Sequence, residues 1–495
     1  MPETIGWELR RSKPYVGRVR FIKIACKKSF TRRQFRATPL REQKSEGASR
    51  GFLDPRRQSR YAKCMMSMSY KFAGVFGVVL LGLSVACGSE PAGGPRASEL
   101  EPIEQGRRYV ESPEFRRGIL EASLENPDNL YSRTRLAHYA TGAPDSWDAL
   151  PVRRPSASPV TTADFGSFDT FGRREPTGAP ASDPWSAEWT HDGLIALGER
   201  AFYTYPLRVD GRLAPVVESR ENAERAGFWV DEEGRVGGVV AEWLDNGTEM
   251  AAWTCSTCHA SVREGGGPLV SGRSNASLDA GELYRLGGIE GTLAEGWRPG
   301  QLDPSQDATD NPTKIPDLRA VRYQSHLHAA ASVANSLMAL TVRIETLLIV
   351  SQNATARPPR QLAFAMAYYL WNLPVTKREQ ASEQAGEAGR ALFETNCSRC
   401  HHTDGSVAEP VDYRLVGTDP AAALSPARTT GRYRIPSLAG VGDRPYLLHD
   451  ASVRSLDAFL DPERPATVPG HPFGLDLSAE ERRALIGFLH TLPLD

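Results

Sequence analysis

Two copies of one five-residue motif carry the chemistry that this sequence predicts. Residues 255–259 read Cys-Ser-Thr-Cys-His, and residues 397–401 read Cys-Ser-Arg-Cys-His. In Cys-x-x-Cys-His the two thiols form thioethers with the vinyl groups of haem, and the adjoining histidine binds the iron. The motifs therefore predict two covalently bound haem c groups, attached through Cys255, Cys258, Cys397 and Cys400, with His259 and His401 as the proximal iron ligands.

Zinc bound by the same cysteines is the alternative interpretation, because paired thiolates are common zinc ligands. The two cysteine pairs lie far apart in the sequence, however, and each has a histidine at the identical next position. The other cysteines are Cys26 and Cys64 in a basic leader and Cys87 beside an apolar run. Since the two motifs use every remaining thiol, the pattern favours haem attachment.

A longer duplication surrounds the motifs and indicates how the chain is organised. Ile315-Pro316-x-Leu318-x-x-Val321 recurs 120 residues later as Ile435-Pro436-x-Leu438-x-x-Val441. In both copies a helical run follows and ends at a proline, Pro374 or Pro493, where a helix would stop. Two copies of one unit are therefore predicted, over residues 186–376 and 377–495.

The second copy is similar to the small α-helical cytochrome c domain, through Gly386-x-x-Gly389-x-x-Leu392-Phe393 ahead of Cys397. The tandem arrangement resembles the dihaem cytochrome c peroxidase superfamily, which includes a methylamine-utilisation enzyme and dihaem rubber oxygenases. Residues 197–202 resemble its opening helix, and residues 436–438 and 445–450 resemble its second-domain signature. Over residues 186–495 the resemblance implies a mainly α fold of tandem cytochrome c-type haem domains, and residues 470–474 favour the oxygenase branch.

The second axial ligand decides whether a haem iron only transfers electrons or also binds a reactant. No methionine follows His401, so His/Met ligation is excluded within this copy. His471 stands in a Pro-Gly-His-Pro turn, about where family members place the distal ligand, and we expect it to bind the second iron; a solvated turn is the alternative. We expect His449 to contact the haem edge or a propionate, with a structural hydrogen bond as the alternative.

The first copy has no histidine that corresponds to His471. Its possible ligands are His326, His328, Met338 and Met366, and the two methionines lie on apolar helical runs where a role in the core is favoured. We expect an open or water-bound first iron, with His326 and His328 lining its pocket as catalytic residues. Ligation of the iron by His326 or His328 is the alternative.

An apolar run over residues 72–86 is too short to cross a bilayer and predicts a signal peptide over 65–86. It ends in Ser-Val-Ala-Cys, which resembles the lipobox of bacterial lipoproteins, so we expect acylation of Cys87 and a periplasmic or outer-membrane lipoprotein. Ordinary secretion is the alternative. Residues 1–64, with 18 Lys and Arg against 5 Asp and Glu, are interpreted as a mis-assigned start or a leader.

Residues 87–185 are predicted to be a tether and a wrapping segment that together form an irregular, Pro-rich N-terminal extension. Two short helices are expected in it, around Phe115–Leu120 and around Leu130–Tyr139, followed by a Pro-rich loop over 141–185. Beyond residue 64 the chain has 41 basic and 55 acidic residues, the remainder of 59 and 60 after the 18 and 5 of the leader. An acidic surface repels phosphate, so no nucleic-acid partner is expected.

These features predict an oxidoreductase in which the first haem activates hydrogen peroxide or dioxygen and the second relays electrons. The expected partners are an electron donor or acceptor protein and, if Cys87 is acylated, a membrane held through the lipid anchor. The alternative is a non-enzymatic electron-transfer lipoprotein with two six-coordinate haems. A third hypothesis is a lipoprotein whose haem domains serve as docking modules in a larger redox complex.

Overall fold

The computed structural model describes residues 101–167, 183–375 and 383–494, apart from 245, 264–266, 304, 306 and 308. The expected leader, signal peptide and acylated Cys87 lie outside these residues. Within the described ranges, no helix combines the length and the apolar character needed to cross a bilayer.

Helices dominate the described residues, and short strands connect them. The helices are α1 (Pro102–Glu111), α2 (Pro113–Ser123), α3 (Leu130–His138), α4 (His191–Thr204), α5 (Ala214–Glu218), α6 (Arg220–Arg225), α7 (Cys255–His259), α8 (Ala280–Leu286), α9 (Leu337–Ser351), α10 (Arg360–Trp371), α11 (Glu383–Asn396), α12 (Tyr413–Val416), α13 (Ala421–Leu424), α14 (Leu456–Phe459) and α15 (Ala479–Leu489). The strands are β1 (Ser156–Thr161), β2 (Arg208–Val209), β3 (Arg235–Trp243), β4 (Glu249–Trp253), β5 (Ala260–Ser261), β6 (Val270–Ser271), β7 (Gln301–Leu302), β8 (Thr313–Lys314), β9 (His326–Leu327), β10 (Val333–Ala334), β11 (Val411–Asp412) and β12 (Arg432–Tyr433).

Two helix pairs form the cores of the two repeats, and a glycine lies at each crossing. Helix α4 packs on α10, and a Cβ atom at Gly198 would lie 2.1 Å from the Ala365 carbonyl oxygen. Helix α11 packs on α15, and a Cβ atom at Gly389 would lie 2.2 Å from the Ala484 carbonyl oxygen. The absence of a side chain thus allows each pair of helices to approach closely.

The backbone conformation also recurs at the 120-residue offset of the sequence duplication. A short 3-10 helix begins at Val321 and again at Val441. His328 and Leu448 then both adopt left-handed φ angles, of 62° and 61°, although side chains disfavour that region. The two copies of the Ile-Pro segment therefore share one local structure.

A four-stranded antiparallel sheet of order β1-β3-β4-β2 precedes the first motif. The prediction of an irregular loop over 141–185 was wrong for residues 156–161, which form the edge strand β1 on β3. Strand β3 is buried along seven of its nine residues, so its backbone groups require a partner on both edges. Pro159 is tolerated in β1 because an edge strand has one side free of sheet hydrogen bonds.

The two helices predicted in the N-terminal extension are confirmed as α2 and α3, and α1 precedes them. The Ser112 hydroxyl accepts a hydrogen bond from the Phe115 amide at 3.0 Å, and Pro113 occupies the first turn of α2. Helices α1 and α2 pack against α9, and α1 also packs against α10. The extension is thus part of the first repeat's core.

Helix α11 provides a matched test of the helix crossing. We expect Gly389→Ala to lower the free energy of unfolding by about 1–3 kcal/mol, because the added methyl group collides with α15. Gly386→Ala lies in the same helix, where a Cβ atom meets nothing within 4 Å, and should stabilise it by about 0.5–1 kcal/mol. Thermal or denaturant unfolding of the two variants measures both effects, and equal stabilities would contradict this account of the crossing.

Candidate haem-binding sites

The first Cys-x-x-Cys-His motif is held on the short helix α7 by hydrogen bonds from three directions. The hydroxyls of Thr254 and Thr257 both donate to the Gly238 carbonyl of β3, at 2.8 and 3.1 Å. The Asn275 amide side chain donates to the carbonyls of Thr257 and Gly227, each at 3.0 Å, and its backbone NH donates to the Cys258 carbonyl at 2.8 Å. The motif is therefore rigidly positioned, as attachment to a planar macrocycle requires.

The two thiols of this motif are only partly accessible. Burial raises the pKa of Cys255 and of Cys258 to about 12, yet both side chains keep part of their surface accessible. Burial also raises the pKa of Cys397 to about 11, and neither motif contains a disulfide. Partly accessible sulfurs of this kind suit thioether formation.

The donor geometry of the described residues offers no zinc site. Among them, no three His, Cys, Asp or Glu side chains converge on a common metal position. A structural zinc site needs four such ligands.

His259 has the orientation of an axial ligand. Its Nδ1 lies 3.0 Å from the Pro316 carbonyl oxygen, and because a carbonyl only accepts, Nδ1 must carry the proton. Burial lowers the pKa of His259 to about 4, so the ring is neutral at physiological pH. Nε2 therefore keeps a lone pair for a metal, and the Pro316 carbonyl is the second partner that metal-bound histidines usually have.

His401 occupies the corresponding place in the second repeat. Burial lowers its pKa to about 3, with a further lowering by the charge of His471, while the Pro436 carbonyl acts in the opposite direction. Nδ1 of His401 is buried and has no hydrogen-bond partner of normal geometry. A buried imidazole without a partner on that nitrogen is costly unless another group compensates it, and this residue fits a metal-binding role.

His471 lies close enough to His401 for its charge to lower the pKa of the latter. Burial lowers the pKa of His471 itself to about 4, and its Nδ1 is also buried without a partner. Its ring centroid lies 4.7 Å from that of Phe459 and 5.3 Å from that of Phe473. Both imidazoles are therefore neutral at physiological pH.

Arg464 fixes the segment that carries His471. Its guanidinium donates to four backbone carbonyls at 2.8–2.9 Å, those of Phe459, Val468, Gly470 and His471. The Arg464 side chain is buried and also lies over the Phe459 ring, at 5.2 Å from its centroid. The turn at His471, which has a left-handed φ of 47°, is therefore stabilised by the hydrogen bonds from Arg464 to its backbone carbonyls.

Both nitrogens of His326 and of His328 contact other side chains. Nδ1 of His328 lies 2.7 Å from the Ser332 hydroxyl, and its Nε2 accepts from Nε of Arg343 at 2.7 Å. Nε2 of His326 lies 3.2 Å from a Glu125 carboxylate oxygen, and its Nδ1 lies 3.1 Å from the Ser325 hydroxyl. The structure thus gives neither ring a free nitrogen.

Arg343 is a site residue that the sequence analysis missed. Its charge lowers the pKa of both Cys255 and His259, so it lies near the first motif, and its Nη1 is buried without a partner. The sequence contained one signal for it, a charged residue inside the apolar run of α9. Such a residue is a candidate for a functional role because burying a cation is costly.

Met366, Met338 and His449 have contacts that the sequence did not indicate. The Cys255 sulfur lies 3.6 Å from the Met366 sulfur, and Met338 is buried in the core of the first repeat. The His449 ring lies against Tyr433, with Nε2 3.3 Å from the tyrosine hydroxyl. Its backbone carbonyl accepts from the Lys314 amide at 2.8 Å.

Known proteins resemble this chain in two ways. Residues 386–493 match the cytochrome c family. Similar solved structures include a hydrazine synthase from Kuenenia stuttgartiensis, 14% identical over 64% of this chain and 98% of that one, with a TM-score of 0.33. A MauG-like protein associated with microbial copper homeostasis is 15% identical over 65% of this chain and 92% of that one, with a TM-score of 0.30.

A diheme peroxidase from Burkholderia thailandensis is 15% identical over 69% of this chain and 94% of that one, with a TM-score of 0.28. No curated protein matches the sequence. The identities and TM-scores of these structures are too low to support an argument. The assignment of residues 386–493 therefore rests on the family match and on the Cys-x-x-Cys-His motif within it. The resemblance of the second repeat to cytochrome c is confirmed: residues 386–493, with His401 and its cysteine pair, are a cytochrome c domain.

Proposed function

We propose that the chain is an exported oxidoreductase that carries two covalent c-type haems with unequal axial ligation. Its first haem, on His259, has an open face for hydrogen peroxide or dioxygen, and its second, on His401 and His471, relays electrons. One observation carries the proposal. His471 lies close to His401, whereas the described histidines near the first motif, His326 and His328, are both bound to other side chains.

When bound, c-type haem supplies an iron that exchanges electrons and, where an axial position is free, accepts a small reactant. His259 holds its Nδ1 proton on the Pro316 carbonyl and presents Nε2. This fixed tautomer raises the basicity of the ligand and orients its ring. The N-terminal signal sequence and Cys87 would direct the protein to the compartment where such haems are attached.

In the second repeat, His401 and His471 act as a pair of neutral imidazoles. A bis-histidine iron has a lower potential than a His/Met iron, since methionine ligation raises it. Arg464 holds the His471 turn in place through the backbone carbonyls of Gly470 and His471. The second repeat is thereby suited to storing and delivering electrons for the first, in exchange with a partner protein.

In the first repeat, Arg343 supplies positive charge and His328 positions it. His328 accepts from Nε of Arg343 at 2.7 Å, which leaves the terminal nitrogens of the guanidinium for another partner. Negative charge that develops on an oxygen reactant beside the first motif would be stabilised by this fixed cation. We thus assign His328 a positioning role, and His326 a place in the wall of the pocket through its contact with Glu125.

Removal of His471 tests the unequal ligation. Reduced wild-type protein should bind carbon monoxide at one haem, and His471→Ala should bind it at two, because the second iron loses its distal ligand. His402→Ala removes an exposed histidine beside His401 and should leave one binding haem. Wild-type protein that binds carbon monoxide at neither haem would favour the electron-carrier alternative.

Arg464→Gln should loosen the His471 turn, because an amide cannot replace four bonds to carbonyls. We expect a fraction of the second haem to become high-spin, as measured by electron paramagnetic resonance, and carbon monoxide to bind it faster than in the wild type. Arg482→Gln removes a guanidinium that bonds the Leu477 carbonyl at 2.9 Å in the same repeat, and serves as the control. Identical spin states in both variants would contradict the positioning role.

Arg343→Gln should slow the reaction with hydrogen peroxide by roughly 10²-fold, the usual cost of losing one fixed charge-stabilising group. Affinity for cyanide, an anion in its bound form, should fall in the same variant, while affinity for neutral carbon monoxide stays near the wild-type value. Arg343→Lys keeps the charge and should recover part of the cyanide affinity. A parallel loss of both affinities would indicate a merely structural role.

A further inference from the structure

The two repeats contact each other through reciprocal backbone hydrogen bonds. The Lys314 amide donates to the His449 carbonyl at 2.8 Å, and the Arg434 amide donates to the Ala329 carbonyl at 3.0 Å. Arg434 follows Lys314 by 120 residues, and His449 follows Ala329 by the same number. Such exchange of equivalent bonds is the pattern of a two-fold interface between identical subunits, so the repeats face each other through equivalent surfaces.

A small pocket lies on this seam and is lined by equivalent residues from both repeats. The pairs are Lys314 with Arg434, Pro316 with Pro436, and Gln324 with Arg444. Its volume of about 20 Å³ suits one small polar group. Because the Pro316 carbonyl contacts His259 and the Pro436 carbonyl faces His401, the pocket lies beside both proximal ligands.

Positive charge exceeds negative charge in this pocket. In the described part of the chain its lining contains three cations, Lys314, Arg434 and Arg444, and one carboxylate, Asp317, which Arg319 already binds at 3.1–3.2 Å through Nε. Burial lowers the pKa of Lys314 to about 7, with further lowering by its two arginine neighbours. Lys314, Arg434 and Arg444 are half-buried, and cations withdrawn from water are stabilised by nearby negative charge.

The side chains of these three cations contact neutral backbone carbonyls. Lys314 Nζ lies 3.5 Å from the Tyr446 carbonyl, and the Arg434 guanidinium lies 3.4 Å from the His326 carbonyl. The Arg444 guanidinium donates to the Ala439 carbonyl at 2.7 Å, and its Nε is buried without a partner. Donor capacity therefore remains at the pocket for an anion.

We propose that this pocket is a carboxylate-binding site in which Lys314, Arg434 and Arg444 compensate negative charge between the two repeats. Guanidinium groups bind carboxylates through paired, charge-assisted hydrogen bonds. Two sources have this chemistry, the propionate groups of the haems and a free small anion. The propionate source rests on the proposed function, since it requires haem on both motifs, and places one cationic cluster beside both cofactors.

The test uses the full-length protein loaded with haem and the charge-removing variants Arg434→Gln and Lys314→Met. Haem content per chain is counted first as the pyridine haemochrome, and the midpoint potential of each haem is then measured by spectroelectrochemistry. If propionates occupy the site, we expect two haems per chain and a downward shift of potential in both variants, because loss of nearby positive charge favours the oxidised iron. Arg432→Gln removes an exposed charge two residues before Arg434 and should shift neither potential.

Two further arms separate the sources and exclude a structural effect. Arg434→Lys keeps the charge and should keep the wild-type potentials. Added phosphate or acetate should raise the melting temperature of the wild type saturably, and not that of Arg434→Gln, if a free anion is the occupant; it should affect both equally if propionates are. Fewer than two haems per chain would contradict the proposed function and leave the anion arm to decide. Potentials equal to those of Arg432→Gln, together with no anion-dependent stabilisation, would overturn the carboxylate site.

Discussion

The hydrogen bond between the His259 ring and the Pro316 carbonyl is the contact on which the arrangement of the first repeat depends. It determines which nitrogen holds the proton, and thus which nitrogen is available to a metal. The same Ile-Pro segment carries Lys314 two residues earlier and Asp317 one residue later, both at the seam between the repeats. One short segment therefore orients the His259 ring and also places the charges beside it, and the second repeat carries Pro436 and Arg434 at the equivalent positions. Orientation of the ligands and contact between the repeats are not separable in this fold.

The two repeats differ in the structure that follows the shared Ile-Pro segment. After the shared Ile-Pro segment, the first repeat continues directly into the long helix α9, whereas the second forms short α14 and the turn that carries His471. Each uses an arginine, but in a different way. Arg464 donates to four carbonyls and so contributes rigidity, while Arg343 keeps a buried terminal nitrogen without a partner and so contributes charge. A rigidly held imidazole suits electron transfer, whereas a guanidinium with an unpartnered NH group suits the stabilisation of negative charge on a reactant.

The sequence predicts the features of the fold that depend on local spacing of residues. The helices around the motif cysteines and the duplicated Ile-Pro segment follow from residue type and interval. The sequence does not predict the features that depend on contacts between residues far apart in the chain. Strand β1 forms because β3 needs an edge partner, which the Pro-rich composition of that segment conceals. His326 and His328 attract attention as histidines, yet their partners Glu125 and Arg343 lie on other elements, so their hydrogen bonds could not be inferred.

The N-terminal extension has a physical role that follows from helix α9. Glu345 is fully buried, with its carboxylate bound by the hydroxyls of Tyr109 and Tyr139, the latter at 2.6 Å, and paired with Arg360 at 3.3 Å. A buried carboxylate is tolerated only when hydrogen bonds and an opposite charge compensate it. Loss of one partner would therefore lower the stability of the fold. Residues two apart on a helix point to different sides, so Arg343 projects away from the tyrosines and towards the first motif. The extension thus binds one side of α9 and thereby fixes the side that faces the site. The added helices α1 and α2 thus hold α9 of the first repeat in place.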